Sequence, residues 1–154
     1  MSHDDKVVIT CAINGVLTDP EQHPVPVTPE EMAEEARRAR DAGASIIHMH
    51  IREQNSGRFP YWGADLTQEI VDAIHEEAPE LIINLTTGVP DDDDDVVAMP
   101  LNLLKEIEPE MAAMNSGSLN YLGIRSNGDW KWPPMLFKNP VEKVEKFLDT
   151  MNEH

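Results

Sequence analysis

Short apolar runs rich in β-branched residues alternate along the chain with longer stretches whose apolar positions recur at helical spacing. That alternation predicts βαβ units around a parallel sheet. Val7 to Ile13 is the first strand pattern, followed by a proline-rich loop, Asn14 to Val27, that contains His23. Thr28-Pro29-Glu30-Glu31 then predicts a helix start: Thr28 as cap, Pro29 at the first helical position, Glu31 closing a capping box, with Val27 and Met32 placed as a hydrophobic staple. Met32, Ala33, Ala36 and Ala39 form a narrow apolar stripe that ends at Gly43. Ser45 to Arg52 is the second strand pattern. Asp65, with Gln68 three residues on, is the expected cap of a helix carrying Leu66, Ile70, Ala73 and Ile74 as far as Pro79.

Leu81 to Thr87 is the third strand pattern, closed by Gly88. Pro90 and the run Asp91 to Asp95 lead into a weaker helix over Val96 to Ile107, which Pro100 is expected to break or kink. Met111 to Ser116 is the fourth strand. After a loop holding Trp130, Trp132, Pro133 and Pro134, Asn139-Pro140 opens a last helix with Val141, Val144, Leu148 and Met151 on one side. The fold class expected is α/β, with residues 1–154 forming one partial domain of four βα units. A closed (β/α)₈ TIM barrel usually needs about 250 residues, so the pattern reads as its first half, with two open parallel edges.

Composition narrows the function. Twenty-nine Asp and Glu against twelve Lys and Arg give a net charge of −17, which repels nucleic acid and anionic membranes. The acidic excess suits a high-salt cytoplasm as readily as an ordinary acidic protein. Cys11 is the only cysteine, which excludes an intrachain disulfide and cysteine-rich zinc knuckles. No stretch approaches the roughly 20 apolar residues that span a bilayer, and the polar start has no secretory pattern. A cytoplasmic protein is expected.

His48 and His50 lie two apart in a strand, so both side chains leave one face while Ile47, Met49 and Ile51 leave the other. In a barrel the first face is the interior. Two imidazoles near the C-terminal end of a strand suit a zinc ion with an open position, although a pair of hydrogen-bonded core histidines has the same pattern. Asn115 shares inward parity with Ala113, which makes it either a pocket residue or an interior hydrogen-bonding group. Arg52 and Arg58 offer positive charge for an anionic ligand, although exposed arginines there are more often solvated or paired. His75 is expected to be exposed and Cys11 to pack. Trp130 and Trp132 are expected to cover a loop or mark a partner surface.

Five ordered motifs carry a more specific signal: Ile-Thr-Cys-Ala-Ile-Asn-Gly at 9–15, Val-Thr-Pro-Glu-Glu at 27–31, Ala-Gly-Ala-Ser-Ile-Ile-His-Met-His-Ile-Arg-Glu at 42–53, Ile-Asn-Leu-Thr-Thr-Gly at 83–88 and Pro-Glu-Met-Ala-Ala-Met-Asn-Ser-Gly-Ser-Leu-Asn at 109–120. Together they resemble the β-keto acid cleavage enzymes over nearly the whole chain. The resemblance implies a zinc-dependent TIM-barrel acyltransferase. Its members exchange acyl groups between a β-keto acid and acetyl-CoA, giving acetoacetate and a new CoA thioester. His48 and His50 match the family's strand-borne zinc ligands, Thr86 a hydroxyl position that contacts substrate, and Val89 a position where a backbone group is used. For Thr86 and Thr87, the end of a strand held by hydroxyl bonds is the competing reading.

The departures matter as much. Leu17 falls where the aminohexanoate-cleaving members carry an acidic residue, and Ala113 where they carry a hydroxyl, so a less polar β-keto acid is the expected substrate. The carboxylate that completes the family's zinc site, and its acid-base arginine and acidic residue, belong to the second half of the barrel. None of those motifs is present, so no catalytic base is assigned within the chain. Association is the expected remedy, as a homo-oligomer or with a partner chain carrying the second half-barrel. His23 or the Asp91 to Asp95 run is a substitute ligand source, against the simpler reading of a solvated helix start. An inactive half-barrel serving as an interaction or structural module is the alternative function. A metal-dependent amidohydrolase also uses His-x-His on a barrel strand, but on the first strand rather than the second.

Overall fold

The computed structural model describes residues 6–15, 18–58, 60–130 and 134–154. Leu17, Trp132 and Pro133 therefore lie outside the described residues. Four parallel strands, β1 (Thr10–Ala12), β2 (Ile46–Met49), β3 (Ile82–Leu85) and β4 (Met111–Ala112), make one sheet in sequential order. Three helices connect them: α1 (Pro29–Asp41), α2 (Ala64–Glu77) and α3 (Asp94–Ile107). The α/β class and the four βα units stand as expected. A two-stranded antiparallel ribbon, β5 (Leu119–Tyr121) with β6 (Met135–Phe137), then precedes α4 (Val141–Glu153). The ribbon falls where only a loop was expected, because three-residue strands are too short to show an alternating pattern.

The core lies on one face of the sheet. Ile47, Met49 and Ile51 from β2 and its end meet Ile83 and Leu85 of β3, with Met32, Ala33 and Ala36 of α1 and Ile70 and Ile74 of α2 above them. The small residues of the α1 stripe let α1 lie close over the sheet. A second cluster joins Val89, Val97, Leu104 and Phe147, and so anchors α4 to α3 and to the turn after β3. On the other face of β2 and β3, His48 and Asn84 are only half-buried.

The start of α1 follows its sequence closely. Thr28 Oγ1 accepts from the Glu31 amide, and the Glu31 carboxylate accepts from the amides of Thr28 and Val27. Gly43, at φ 104, takes the left-handed position beyond the helix end, and the Ala44 amide donates back to the Ala39 carbonyl.

Three local expectations are corrected. The cap of α2 is Gly63, not Asp65: a Cβ at Gly63 would collide with the Tyr61 ring, and Gln68 donates forward to Asp72. Pro100 does not break α3. The helix begins at Asp94, earlier than expected, because Asp93 caps it by accepting from the Asp95 amide, and buried Pro100 sits inside a continuous helix. On α4 the buried side is Lys143, Phe147 and Thr150, about one residue or ~100° from the side predicted. Val141 and Leu148 are left exposed. Phe147 fixes this rotation by filling the second cluster, and the Lys143 ammonium follows it inward because three carbonyls wait there.

The strands are also shorter than their patterns. Val7 and Val8 precede β1 and are exposed, and β4 pairs with β3 over two residues before the chain departs.

Candidate active site on the sheet face

β2 and β3 run parallel with His48 opposite Asn84. Residues in register across parallel strands share a face, so His48, His50, Asn84 and Thr86 all stand on the side away from the helices. His50 lies just past β2, yet its backbone is still held in extended form. The Asn14 side chain does this: its Oδ1 accepts from the His50 amide at 2.9 Å and its Nδ2 donates to the His50 carbonyl at 3.0 Å. The buried Asn14 amide thus extends the ladder where β1 has ended. It was legible only as part of the first motif.

The two rings stand edge to face, with centroids 4.9 Å apart and planes at 87°. His48 Nδ1 is 3.1 Å from the Asn84 carbonyl oxygen. A carbonyl only accepts, so Nδ1 carries the proton and His48 Nε2 presents a lone pair. The His50 imidazole is pushed down to about 4, chiefly by burial, then by the positive charge of His48 and Arg52, against an opposing contribution from the Asn14 backbone. It is therefore neutral at pH 7. Its Nδ1 is enclosed without a hydrogen-bond partner, as is Asn84 Oδ1.

The rings open into a pocket of about 690 Å³. Thr86, Gly88, Pro90, Ala113 and Asn115 form its floor and rim, while Met114, Tyr121, Met135 and Phe137 give it an apolar wall. The ribbon β5–β6 thus supplies three wall residues that the sequence pattern did not announce. Thr18, Asp19 and Arg58 complete the other side. Arg58 is held there by Asp19 at 3.4 Å and Glu21 at 2.8 Å.

Among the site residues expected, His48, His50, Thr86 and Asn115 are brought to this one pocket. The buried Thr86 hydroxyl accepts from the Gly88 amide at 3.4 Å, whereas the Thr87 hydroxyl turns away and donates to the Ala113 carbonyl. Asn115 sits beside the turn, its Nδ2 3.5 Å from where a Cβ on Gly88 would lie. Val89 has its side chain in the second cluster, and its carbonyl accepts from Lys143 Nζ at 2.8 Å.

Other candidates lie elsewhere. His23 is exposed, with its backbone amide tied to the Asp19 carbonyl. The Asp91 to Asp95 run is exposed and serves as cap and ion-pair partner: Asp91 and Asp92 hold Lys138, Asp93 caps α3 and Asp94 holds Lys146. The Lys138 ammonium, first, holds the Asp91 carboxyl down at about 2. Arg52 is not exposed, contrary to expectation. It is buried, and its guanidinium donates to the carbonyls of Gly57, Gly15 and Thr18, the last at 2.6 Å. It braces the two loops below the pocket rather than meeting a ligand. His75 is exposed, as expected, and Cys11 is half-buried. Trp130 is half-exposed and bridged to Ile124.

Lys143 is the residue that pattern reading missed most completely. All three of its ammonium protons are used, on the carbonyls of Val89, Asp91 and Lys138 at 2.8, 2.9 and 2.7 Å. The ammonium also lies 5.6 Å from the Phe137 ring centre. Burial pushes its pKa down, and the Asp92 and Asp91 charges oppose that. It thereby ties α4 to the turn that carries Thr86 and Gly88.

Two imidazoles on one face of β2 and its end, with His48 Nδ1 engaged by a carbonyl and so its Nε2 left toward the pocket, form a pair of nitrogen donors of the kind that suits a borderline-soft cation such as zinc. Among the described residues, no three His, Cys, Asp or Glu are placed together so as to hold a metal ion. Two such donors alone do not fill the four-coordinate shell that zinc requires.

Comparison with known proteins places the sequence and the fold. The profile described as beta-keto acid cleavage enzyme matches residues 6–154. A 3-keto-5-aminohexanoate cleavage enzyme of Fusobacterium nucleatum is 38% identical over 122 residues, covering 77% of this chain and 42% of that protein. A 3,5-dioxohexanoate:acetyl-CoA acetone transferase of Paraburkholderia graminis is 37% identical over 122 residues, covering 79% of this chain and 38% of that one. The chain spans about two fifths of the length of these curated relatives. Among solved structures, the ternary complex of ObcA with C4-CoA adduct and oxalate shares the fold, with a TM-score of 0.57 at 21% identity over 84% of this chain and 29% of that one. With its sequence matched almost throughout and its histidine pair facing the pocket, the chain belongs to the beta-keto acid cleavage enzyme family.

Proposed function

We propose that this chain carries the metal-binding part of an enzyme that exchanges acyl groups between a β-keto acid and acetyl-CoA, giving acetoacetate and an acyl-CoA. The observation that carries the reading is the pair of imidazoles, His48 and His50, facing a pocket with one apolar wall. The names of the relatives support it: a 3-keto-5-aminohexanoate cleavage enzyme, a 3,5-dioxohexanoate:acetyl-CoA acetone transferase and a 3-oxoadipate:acetyl-CoA acetyltransferase. His48 and His50 would hold zinc, which when bound supplies a Lewis acid for the keto carbonyl. Thr86 offers a hydroxyl and Asn115 an amide to the carboxylate or carbonyl oxygens of the keto acid. Val89 contributes through its backbone, as part of the turn that Lys143 holds. Met114, Met135 and Phe137 keep water from that end of the pocket. Such a wall favours a keto acid with a weakly polar tail over an amino-substituted one, and Ala113 adds no hydroxyl there. Faster turnover of the amino compound would refute that preference.

The four strands are the first half of a TIM barrel in this reading. Among the described residues β1 pairs only with β2 and β4 only with β3, so two parallel edges stand open. Closure by strands of another copy or of a partner chain with the second half-barrel would protect those edges and bring the remaining ligand and the catalytic base. The enzyme would act in the cytoplasm, in keeping with a free Cys11. Among the described residues no helix is long and apolar enough to cross a membrane. The test is zinc content per chain in the sized protein, with acetyl-CoA-dependent acetoacetate formation, in the native chain and a His48→Ala, His50→Ala double variant. Near-stoichiometric zinc that disappears in the variant is expected. A stable, zinc-free, inactive oligomer would instead mean a structural half-barrel module.

A further inference from the structure

Among the described residues, two side-chain polar atoms are enclosed without a partner, His50 Nδ1 and Asn84 Oδ1. They are complementary, since a neutral imidazole nitrogen can carry a proton and an amide oxygen can only accept one. They also share a face. Asn84 stands in register with His48, and His50 follows His48 by two residues, so the Asn84 side chain lies diagonal to the His50 ring on the adjacent strand. Adjacent strands lie about 4.8 Å apart, so the two side chains are neighbours on the pocket face. The two orphaned atoms therefore have each other, or one shared water, as the economical solution to their burial.

We propose that Asn84 is the positioning residue for His50: its Oδ1 accepts the Nδ1 proton of His50, directly after a small ring rotation or through one enclosed water. Asn84 then governs both rings of the pair. Its backbone carbonyl sets the His48 tautomer, and its side-chain oxygen sets that of His50. Both Nε2 lone pairs are turned toward the pocket as a result. A metal-binding histidine commonly has its second nitrogen held in this manner. The zinc limb rests on the proposed function, whereas the tautomer limb does not.

The experiment is long-range ¹H–¹⁵N correlation of the histidine rings in the full ¹⁵N-labelled chain near pH 8, with His50 assigned by a His50→Gln variant. Zinc affinity is measured in parallel by competition with a chromophoric chelator. The expected His50 pattern is a protonated Nδ1 and a bare Nε2. Asn84→Leu should mix the two tautomers and weaken zinc binding roughly 10- to 100-fold. Asn84→Asp, which keeps an acceptor, should restore the protonated Nδ1. His48 is an internal control, because its partner is the Asn84 backbone; its Nδ1 stays protonated in every folded variant.

A His50 proton on Nε2 in the native chain overturns the proposal. So does an Asn84→Leu spectrum identical to the native one, which would assign the role to the neighbouring Asn14 backbone. Should Asn84→Leu not fold, the native pattern and Asn84→Asp decide. A native Nδ1 proton that Asn84→Leu scrambles, in a chain that binds no zinc, would uphold Asn84 as the positioning residue and refute the metal reading.

Discussion

Lys143→Met gives the sharpest test of how the site is held. The substitution keeps the length of the side chain and removes the ammonium that three carbonyls share. Hydrogen bonds to a charged group contribute roughly 1.5–3 kcal/mol each, but the ammonium's own desolvation, several kcal/mol, is recovered when it is removed. Asp91 is exposed and Lys138 half-exposed, so their carbonyls regain water in the variant. The Val89 carbonyl belongs to a buried residue in the second cluster and has no such replacement. The net destabilisation is about 2–4 kcal/mol. Urea unfolding followed by tryptophan fluorescence and circular dichroism should show the midpoint falling by roughly 1–2 M with little change in slope. Lys143→Arg should not rescue fully, since a planar fork cannot match a tetrahedral set of acceptors. A change below about 0.5 kcal/mol would refute the reasoning, because it would mean that the ammonium's burial cost cancels its hydrogen bonds.

Other substitutions read the remaining supports. Arg52→Met should destabilise by about 2–4 kcal/mol and open both loops to limited proteolysis near Gly15, Thr18 and Gly57, with Arg52→Lys only a partial rescue because one ammonium cannot span those three carbonyls. Thr28→Ala should cost about 1 kcal/mol in thermal unfolding through loss of the α1 cap. The Glu53 carboxyl is held down at about 2 by hydrogen bonds from the Ser56 hydroxyl, first, and the Asn55 and Ser56 amides. A depressed carboxyl stabilises the fold above its unfolded value, about 4.5, and loses that contribution as pH falls through about 2. The stability advantage of the native chain over Glu53→Gln should therefore be constant near neutrality and vanish in that acid window, as measured by denaturation at stepped pH. A pH-independent difference would mean that the three donors do not discriminate charge.

The histidine pair shows how much of the site a local pattern can carry. Two residues at strand spacing must share a face whatever surrounds them, so His48 and His50 were legible before any contact was known. The same rule put Ile47, Met49 and Ile51 in the core, and capping chemistry set the start of α1 at Thr28. Asn84 obeyed the same parity, but nothing in its own strand says which residue of β2 it faces. That depends on register, which is a property of two strands. The apolar wall from Tyr121, Met135 and Phe137 was illegible for a related reason, since a three-residue ribbon has too few positions to display its alternation.

Lys143 and Arg52 mark the boundary most clearly. By residue type both belong on the surface, because a charge leaves water only where partners compensate it, and Arg52 was expected there while Lys143 drew no reading at all. Each has three backbone carbonyls as partners, two of them from a loop more than thirty residues away in the chain. The sequence by itself determined the α/β alternation, the facing of the histidines and the helix start at Thr28, all set by geometry within a few residues. Only the tertiary structure decided which face of α4 turns inward, what closes the pocket and which cations are buried, because those outcomes depend on acceptors that converge when distant segments pack.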